Sequence, residues 1–401
     1  MIFTATTKTG DRIEYRDKKR GLWILSVLSP SLPGLAALAL LMTGDAWWAA
    51  VPIVVYYGVF VIGDHLVGTD PNNPPEDVVE AMASDQYYRM LLFLSLPVFW
   101  FSFLTCAIAA GQPDTPWWAW IGLVVAAGVS SGTGITVGHE LGHKPNRLDQ
   151  WGAKLANAVS GYGHFCIEHN RGHHVHVATP EDPASARLGE SLWRFALREI
   201  PGTASRGWRM ERQRLARKGL GFWHWRNDIL QGYAITLAAD ITLIALFGWP
   251  MLAFVLVHNL IGWFHLTTAN YIEHYGLRRD QKPDGRYEAC EPRHSWNTNH
   301  IISNLMLFHL QRHSDHHANP LRPYQALRSF DELPTLPSGY PGSFLLAAFP
   351  SLWFRVMDPK VMEWAGGDLG RTNLDPARAA EYRARWSVRR TGQPPLRKPA
   401  A

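Results

Sequence analysis

The sequence predicts an all-α integral membrane protein with six transmembrane helices and a mostly helical, histidine-rich portion on the cytoplasmic side. The first observation behind this prediction is a set of long stretches without Asp, Glu, Lys or Arg, at 21–44, 46–63, 90–112, 116–138 and 241–272. About 20 consecutive apolar residues cross the hydrocarbon of a bilayer, so these stretches are candidate transmembrane helices. A water-soluble protein is excluded.

The last and longest stretch is divided by Gly248-Trp249-Pro250, because Gly and Pro favour a short turn between two helices. The six predicted helices then lie at 21–44, 46–67, 87–110, 116–138, 229–247 and 251–273. The chain is expected to have six parts: an N-terminal segment (1–20), helices one to four (21–138), a polar segment (139–228), helices five and six (229–273), a second polar segment (274–386) and a linker-like tail (387–401).

Basic residues predict the orientation in the membrane. Residues 144–228 hold fourteen Lys and Arg against eight Asp and Glu, and five more Lys and Arg lie at 12–20. Cytoplasmic segments carry an excess of Lys and Arg, so the N-terminus, 139–228 and the C-terminal third are expected to be cytoplasmic. This basic face suits membrane lipids with anionic headgroups or an acidic protein partner. We expect no nucleic-acid partner.

The three cysteines are far apart, at Cys106, Cys166 and Cys290, and no Cys-x-x-Cys pair is present. This excludes a disulfide framework, a thiolate zinc finger and an iron–sulfur or rubredoxin-type site within these residues. The sequence also lacks the G-x-G-x-x-G fingerprint of nucleotide-binding folds. Any electrons that the protein uses are therefore expected from a separate protein or from a domain outside this sequence.

Half of the 18 histidines fall into four groups: two at the ends of predicted helices four and six, and one in each of the two polar segments, at 169–174 and 313–317. Residues spaced i, i+3 or i, i+4 share one face of an α-helix, so the members of each group are expected to bind one metal together. Nine imidazoles exceed the four ligands of a zinc ion and suit two transition-metal ions with an open position each. The predicted ligands are His139, His143, His169, His173, His174, His274, His313, His316 and His317.

Carboxylates next to these histidines are candidates to orient the imidazole rings, since a ligating His usually donates its other N–H to a carboxylate or a carbonyl. They are also candidate direct ligands. The set comprises Glu140, Glu168, Glu273 and Asp315, with Asp64 near the end of helix two as a further candidate for orienting a ligand. His300 and His309 lie close to the last group and are candidates for the same supporting role.

Two non-homologous alternatives remain open from the residues alone. His139-Glu140-Leu141-Gly142-His143 satisfies the H-E-x-x-H pattern of zinc proteases, although that chemistry leaves about six histidines without a role. A metal transporter also carries intramembrane histidines, but here the histidines lie at or beyond the helix ends.

The four groups resemble a known family when their neighbours are included. The blocks His-Glu-Leu-Gly-His-Lys at 139–144, Glu-His-Asn-Arg-Gly-His-His at 168–174, Asn-Tyr-Ile-Glu-His-Tyr-Gly at 270–276 and Leu-Gln-Arg-His-Ser-Asp-His-His at 310–317 are similar to those of the bacterial integral-membrane alkane 1-monooxygenases. That family belongs to the membrane fatty-acid desaturase and hydroxylase superfamily. The similarity runs from about Tyr15 to Asp368.

The resemblance implies a non-haem diiron centre that uses O₂ and two electrons to convert the terminal methyl of a medium-chain n-alkane to a 1-alkanol. It implies rubredoxin as the electron donor, itself reduced by an NAD(P)H-dependent rubredoxin reductase and either separate or fused downstream. It also implies the bacterial cytoplasmic (inner) membrane as the location. A membrane fatty-acyl desaturase, or another lipid hydroxylase of the superfamily, remains the main alternative, and product analysis (alcohol or alkene) separates the two.

Helix two carries the predicted substrate-channel residues. Ile53, Tyr56, Phe60 and Asp64 share one face at i, i+3, i+7 and i+11 spacing. The resemblance implies that the aromatic ring of Tyr56 blocks the far end of the alkane channel. Packing between helices, or contact with lipid, is the alternative role of these residues.

A basic cluster in the first polar segment is the predicted docking surface for an acidic electron donor. Six cations fall within thirteen positions: Arg206, Arg209, Arg212, Arg214, Arg217 and Lys218. Binding to anionic lipid headgroups is the competing explanation.

Overall fold

Six helices are long and apolar enough to cross a membrane, as the sequence predicts. A computed structural model describes residues 1–387; the predicted linker-like tail therefore lies outside the described residues, apart from its first residue. The spans are Arg20–Thr43, Ala46–Val67, Gln86–Ala110, Trp117–Gly142, Asp228–Phe247 and Pro250–His274, here called spans one to six. The prediction of an all-α, multi-pass membrane protein is confirmed.

Span one is not a continuous α-helix. It consists of 3-10 turns at Arg20–Trp23 and Ser29–Ser31 and α-helices at Ile24–Leu28 and Leu32–Thr43. Pro30 lacks an N–H and interrupts the hydrogen-bond ladder. The carbonyls of Ser29 and Pro30 are satisfied by other spans, because Tyr56 donates to Ser29 at 3.0 Å and Ser102 donates to Pro30 at 2.5 Å. A break in a membrane helix is stable when neighbouring side chains bind the freed carbonyls in this way.

Span two also changes its helical type. It begins with a 3-10 turn at Ala46–Ala50, continues as α-helix at Val51–Val54, becomes a π-helix at Val55–Val59 and ends as α-helix at Phe60–Val67. Single π-turns inside α-helices occur frequently at functional sites. This one carries Tyr56 and Tyr57.

Span four is the central helix, and it is the most buried of the six. Small residues let its neighbours approach closely, as is common between membrane helices. A Cβ atom at Gly132 would lie 2.6 Å from the Cβ of His265 in span six, and one at Gly128 would lie 2.6 Å from Ile261. Spans four and six therefore run in close contact and bring their last residues, where His139 and His274 lie, to the same level.

The remaining described residues form short elements around the ends of the spans. The two strands Ile2–Thr6 and Arg12–Arg16 pair as an antiparallel hairpin. The α-helices outside the spans are Val79–Ala83, Arg147–Val159, Phe165–Glu168, His174–His176, Leu192–Ala216, Ile301–Met306, His313–Ala318, Tyr340–Ala347, Pro350–Trp364 and Ala379–Ser387, with a π-helix at His169–His173.

The helix Arg147–Val159 and the turn after it lie between the spans, and this differs from the sequence prediction. Thr236 in span five donates to the carbonyl of Ala158 at 2.8 Å, and Trp263 in span six donates to Ser160 at 2.9 Å. The sequence predicted that the whole of 139–228 lies outside the membrane helices. Both donors lie inside their spans, so part of this segment packs between the spans instead. The helix has only 13 residues and one small-residue face, too short and too polar for a spanning pattern.

Candidate metal centre

Nine buried or half-buried histidines form two groups within the described residues. In each group, one possible ligand atom from every residue lies within 4.8 Å of all the others. The five-histidine group contains His139, His143, His169, His174 and His316, and the four-histidine group contains His173, His274, His313 and His317. These are the nine residues singled out by their spacing in the sequence. Their function as ligands remains a prediction.

The first pair of histidines has the arrangement that α-helical spacing predicts. His139 lies on the last turn of span four and His143 is the residue that caps it, and their ring centroids are 4.9 Å apart. Both belong to the five-histidine group. An i, i+4 pair on a regular α-helix projects from one face, and the structure shows that geometry here.

The second set does not follow that rule, because residues His169–His173 form a π-helix. In a π-helix the backbone bond joins residues five apart, and the N–H of His174 donates to the carbonyl of His169. The Nε2 atoms of His169 and His174 are consequently 3.0 Å apart in the five-histidine group. His173 turns to the four-histidine group instead. His169 and His173 therefore belong to different groups in the structure, whereas their spacing predicted that they bind one metal together.

The third set is divided as well. Within the helix His313–Ala318, the i, i+4 pair His313 and His317 joins the four-histidine group with Nε2 atoms 2.9 Å apart. His316 points to the other group, where its Nε2 atom lies 3.2 Å from that of His174. The two groups are adjacent, since the rings of His174 and His317 have centroids 4.5 Å apart. The segments 169–174 and 313–317 thus each supply both groups.

The chemistry of these side chains fits metal ions. The Nε2 atoms of His139, His143, His173 and His274 are buried and have no hydrogen-bond partner within the described structure. A buried polar atom without a partner is costly, and a convergent set of lone pairs is what a transition metal requires. Burial also lowers the pKa of His169 and His316 well below the ordinary value and that of His174 to about 2, so these imidazoles are neutral, as ligands must be.

Two ligand candidates have their rings fixed from behind. Nδ1 of His173 donates to Asp182 Oδ2 at 2.9 Å, and Nδ1 of His274 faces the carbonyl of His294 at 3.4 Å. Each contact leaves Nε2 free to face its group, which is the usual way in which a metal-bound His is oriented. The sequence analysis missed Asp182, because it lies nine residues from its partner, at no helical spacing.

Of the five carboxylates predicted to orient histidines, one contacts a ligand candidate in the structure. Glu273 Oε2 lies 3.2 Å from Nε2 of His313, and Glu273 Oε1 accepts a 2.5 Å hydrogen bond from Tyr340. Glu273 is thus placed either to orient the imidazole ring of His313 or to bind a metal ion next to it. It is 2 % exposed, so the contact is shielded from water.

The other four predicted carboxylates have different partners, and the orienting function predicted for them is wrong. Glu140 pairs with Lys144 at 2.9 Å, Glu168 pairs with Arg206, Asp315 pairs with Arg322 at 2.9 Å, and Asp64 accepts from the backbone N–H of Ser303 at 2.9 Å. Their adjacency to a histidine in sequence places them on another face of the backbone. They brace the segments that carry the histidines rather than the imidazole rings.

The two additional histidines also lie away from the groups. His309 donates to the carbonyl of Tyr324 at 2.9 Å and accepts from Lys19 at 2.8 Å, and His300 bonds to Thr298 at 2.6 Å. Neither contact involves a ligand candidate. The prediction that these histidines support the site is wrong.

An apolar pocket lies between spans one, two, four and six, close to the four-histidine group. Its cavity volume is about 50 Å³, and no Asp, Glu, Lys or Arg is among its lining residues. Tyr56 and Phe60 line this pocket, as predicted for channel residues, whereas Ile53 does not. Tyr340 forms part of the wall and is the residue that donates to Glu273, beside His313. Only the side chains of Tyr340 and Glu273 therefore lie between the pocket and His313 along this chain of contacts.

Comparison with known proteins agrees with these features. The fatty acid desaturase family model matches residues 115–344. Alkane 1-monooxygenase from Pseudomonas putida is 49% identical over 370 residues, covering 92% of both chains. Alkane 1-monooxygenase from Ectopseudomonas oleovorans is 48% identical and covers 94% of both chains. The chain belongs to the alkane 1-monooxygenase family.

A more distant relative marks the breadth of the superfamily. The hydroxylase component of the xylene/toluene monooxygenase from Pseudomonas putida is 28% identical over 63% of this chain and 68% of its own length.

The histidine geometry agrees with membership of the alkane 1-monooxygenase family and disagrees with the zinc-protease alternative. A structural or catalytic zinc takes four ligands or fewer from protein, and nine imidazoles converge here.

The predicted docking cations fall into two classes on the helix Leu192–Ala216 and the turn after it. Arg209, Arg212, Arg217 and Lys218 are exposed. Arg214 is occupied by Glu211 and Asp228. Arg206 is 8 % exposed and is enclosed between two carboxylates, so its assignment to a docking surface is wrong. In this member of the alkane 1-monooxygenase family, four of the six cations are available to a partner.

Proposed function

We propose that this chain is a non-haem diiron monooxygenase that hydroxylates the terminal methyl of medium-chain n-alkanes to 1-alkanols, with O₂ as co-substrate. The observation that carries the proposal is the pair of histidine groups beside an uncharged pocket. Relatives named alkane 1-monooxygenase at 48–49% identity over almost the whole chain support the choice of reaction.

In this proposal the five-histidine group and the four-histidine group each hold one iron ion. Bound there, the two irons supply the O₂ activation and electron storage that breaking an unactivated C–H bond requires. Asp182 and the carbonyl of His294 keep His173 and His274 in the tautomer whose Nε2 faces the metal. The protein's own contribution is thus a fixed, neutral and water-shielded set of ligands.

The pocket supports an alkane over a fatty acid as the substrate. Apart from His265, its lining residues are aromatic, aliphatic or hydroxylated, and no Asp, Glu, Lys or Arg is among them. Burial of each methylene contributes about 0.8 kcal/mol, whereas a carboxylate would be desolvated without a cationic partner. This favours alkane hydroxylation over the fatty-acyl desaturase alternative. Tyr56 limits the length of the chain by closing one end of the pocket.

Rubredoxin is the proposed electron donor, reduced in turn by an NAD(P)H-dependent rubredoxin reductase. The sequence has no Cys-x-x-Cys pair with which to hold a rubredoxin centre of its own. The exposed cations Arg209, Arg212, Arg217 and Lys218 suit an acidic protein. We place this surface and the histidines on the cytoplasmic side of a bacterial inner membrane, where the reductase has access to NAD(P)H.

The test is a reconstituted turnover assay. Purified protein loaded with Fe²⁺ is mixed with rubredoxin, its reductase, NADH, O₂ and octane, and the products are analysed by gas chromatography. The proposal predicts 1-octanol formed in step with NADH oxidation, and none with a His143→Ala variant. An alkene formed from a fatty-acyl substrate, or octane left unchanged by the iron-loaded protein, would contradict it.

A further inference from the structure

Arg206 is a buried cation that joins two carboxylates. It lies on the inner face of the helix Leu192–Ala216, one turn before the exposed Arg209. Its Nε atom donates to Glu168 at 2.6 Å, and its terminal nitrogen donates to Asp182 at 2.7 Å and also to Glu168. A guanidinium group presents several N–H donors in a planar fork, so one side chain can hold both carboxylates at fixed positions.

The two carboxylates lie at either end of the π-helix His169–His173. Glu168 is the residue immediately before it. Asp182 accepts from Nδ1 of His173, the last residue of the π-helix, and also from the hydroxyl of Ser185 at 2.7 Å. The guanidinium group therefore connects the start of the π-helix with the side chain that orients its end.

Gly172 makes room for this arrangement. A Cβ atom at Gly172 would lie 2.6 Å from Nε of Arg206 and 2.8 Å from Oε1 of Glu168. Both contacts are closer than real Cβ atoms show, so any larger residue would displace the ion pair or the backbone. Arg206 thus packs directly against the backbone of the π-helix.

A π-helix is less favourable than an α-helix and persists where surrounding contacts hold it. In this chain the π-helix determines the group to which each histidine belongs. It places the ring of His169 beside that of His174 in the five-histidine group and the ring of His173 in the four-histidine group. A relaxation of these residues to α-helix would shift His173 and His174 with respect to His169. The contacts of Arg206 and Gly172 are those that oppose such a relaxation.

We propose that Arg206 is a positioning residue that fixes the π-helix His169–His173 and so divides these histidines between two metal sites; the identity of the metal as iron rests on the proposed function. Arg206 contacts no ligand candidate itself and acts through Asp182 on His173. Loss of the fork leaves Asp182 without its cation and frees the ring of His173, so the four-histidine site is the one that weakens.

The experiment measures metal binding rather than turnover. Full-length protein in detergent is titrated with Fe²⁺ under anaerobic conditions, bound iron per chain is determined, and ⁵⁷Fe Mössbauer spectra are recorded. We expect two irons for the wild type. For Arg206→Gln we expect about tenfold or greater loss of affinity at one site, in line with substitutions behind metal ligands, and one altered Mössbauer component. Arg206→Lys keeps the charge but not the fork and should be intermediate.

Two control variants separate positioning from general stability. Arg209→Gln changes an exposed arginine one turn away, and Arg214→Gln breaks the ion pairs with Glu211 and Asp228, which touch none of the nine histidines. Both should keep two irons with wild-type spectra. Gly172→Ala retains every charge and should nevertheless reproduce the loss seen with Arg206→Gln.

Wild-type affinity and spectra in both Arg206→Gln and Gly172→Ala would overturn the proposal, as would equal iron loss in Arg214→Gln. If Arg206→Gln does not fold, Gly172→Ala and Arg206→Lys decide by the same criteria. The proposed reaction fails on a different result, since it is judged by the octane product of the wild-type protein and not by its iron affinity.

Discussion

Two pairs of histidines with the same spacing behave differently in this protein. His139 and His143 lie on a regular α-helix and face the same metal group, whereas His169 and His173 lie on a π-helix and face different groups. The first pair is arranged by the backbone of span four alone. The second depends on Arg206, Asp182 and other residues distant in sequence. Spacing therefore predicts shared ligation only where the helix type is known.

The difference extends to how each pair is supported. Span four is buried against spans three and six, and its last turns continue the helix without interruption. The π-helix has one turn and is held by a buried ion pair with carboxylates at both of its ends. We therefore expect the first pair to tolerate changes around it better than the second. The predictions below test this contrast, beginning with the largest effect.

Removal of a ligand from either pair should abolish turnover. For His143→Ala and His173→Ala we expect octane hydroxylation to fall by more than the about 10- to 100-fold typical of losses behind the ligands. The two variants should have the same effect on rate although they deplete different groups. Octanol formation at the wild-type rate in either one would remove that residue from the ligand set. The matched control is His309→Ala, which contacts neither group.

Substitution behind the ligands should affect the second pair only. Asp182→Ala removes the acceptor of His173 Nδ1, and we expect about 10- to 100-fold weaker iron binding at the four-histidine site. Asp315→Ala removes a carboxylate that is adjacent in sequence to a ligand but pairs with Arg322. It should lower thermal stability and retain two irons per chain. Equal iron loss in the two variants, measured by anaerobic titration, would contradict this distinction.

The pocket offers a test of substrate length at the π-helix of span two. Tyr56→Ser removes a ring that lines the pocket and that we propose closes one end of it, so longer alkanes should become substrates. Each additional methylene that the pocket accepts should lower KM about fourfold, from about 0.8 kcal/mol of burial. Product analysis with a series of n-alkanes of increasing length gives the profile. The control is Ile53→Ala, outside the pocket, which should leave the chain-length profile unchanged. If the profile of Tyr56→Ser is identical to that of the wild type, Tyr56 serves only in packing between helices.

The smallest effect is expected at the exposed cations. Reversing Arg209 and Arg212 to Glu should raise the KM for rubredoxin by a factor of about 2 to 25, from about 0.2–1 kcal/mol for each exposed charge pair. Iron content and alkane affinity should stay the same. Turnover should also fall as salt increases, because exposed charges are screened beyond about 8 Å at physiological ionic strength. The control is Arg12→Glu on the N-terminal hairpin, which should leave the KM for rubredoxin unchanged. If the Arg209 and Arg212 reversals also leave this KM unchanged, the donor docks elsewhere.

The sequence predicts those parts of the fold that depend on local composition. Each span was found because about 20 apolar residues in a row are needed to cross a bilayer. The helix Arg147–Val159 was not recognised as lying between spans, because its 13 residues carry polar groups that are paired by tertiary contacts such as Lys154 with Asp228. The helix Tyr340–Ala347, which packs Phe344 against His265 with ring centroids 4.9 Å apart, was not recognised either, because its 8 residues are too few for a span.

For the site, the sequence predicts which histidines come together but not how they divide. Histidines spaced for chelation are a local pattern, and all nine are found in the two groups. The assignment of His173 and His174 to opposite groups depends on the π-helix, which no spacing rule reveals. Asp182 and Arg206 are 24 residues apart, and their ion pair around Glu168 exists only in the folded chain. Proximity in sequence was therefore a poor guide to the carboxylates that orient the rings.

The central claim is that the second set of histidines is divided between two metal sites, and ⁵⁷Fe Mössbauer spectra of four alanine variants test it most directly. The account predicts that His143→Ala and His169→Ala lose the same iron and leave one residual spectrum, while His173→Ala and His274→Ala leave the complementary one. If His169→Ala and His173→Ala instead leave the same residual spectrum, the two histidines share one ion and the division is contradicted.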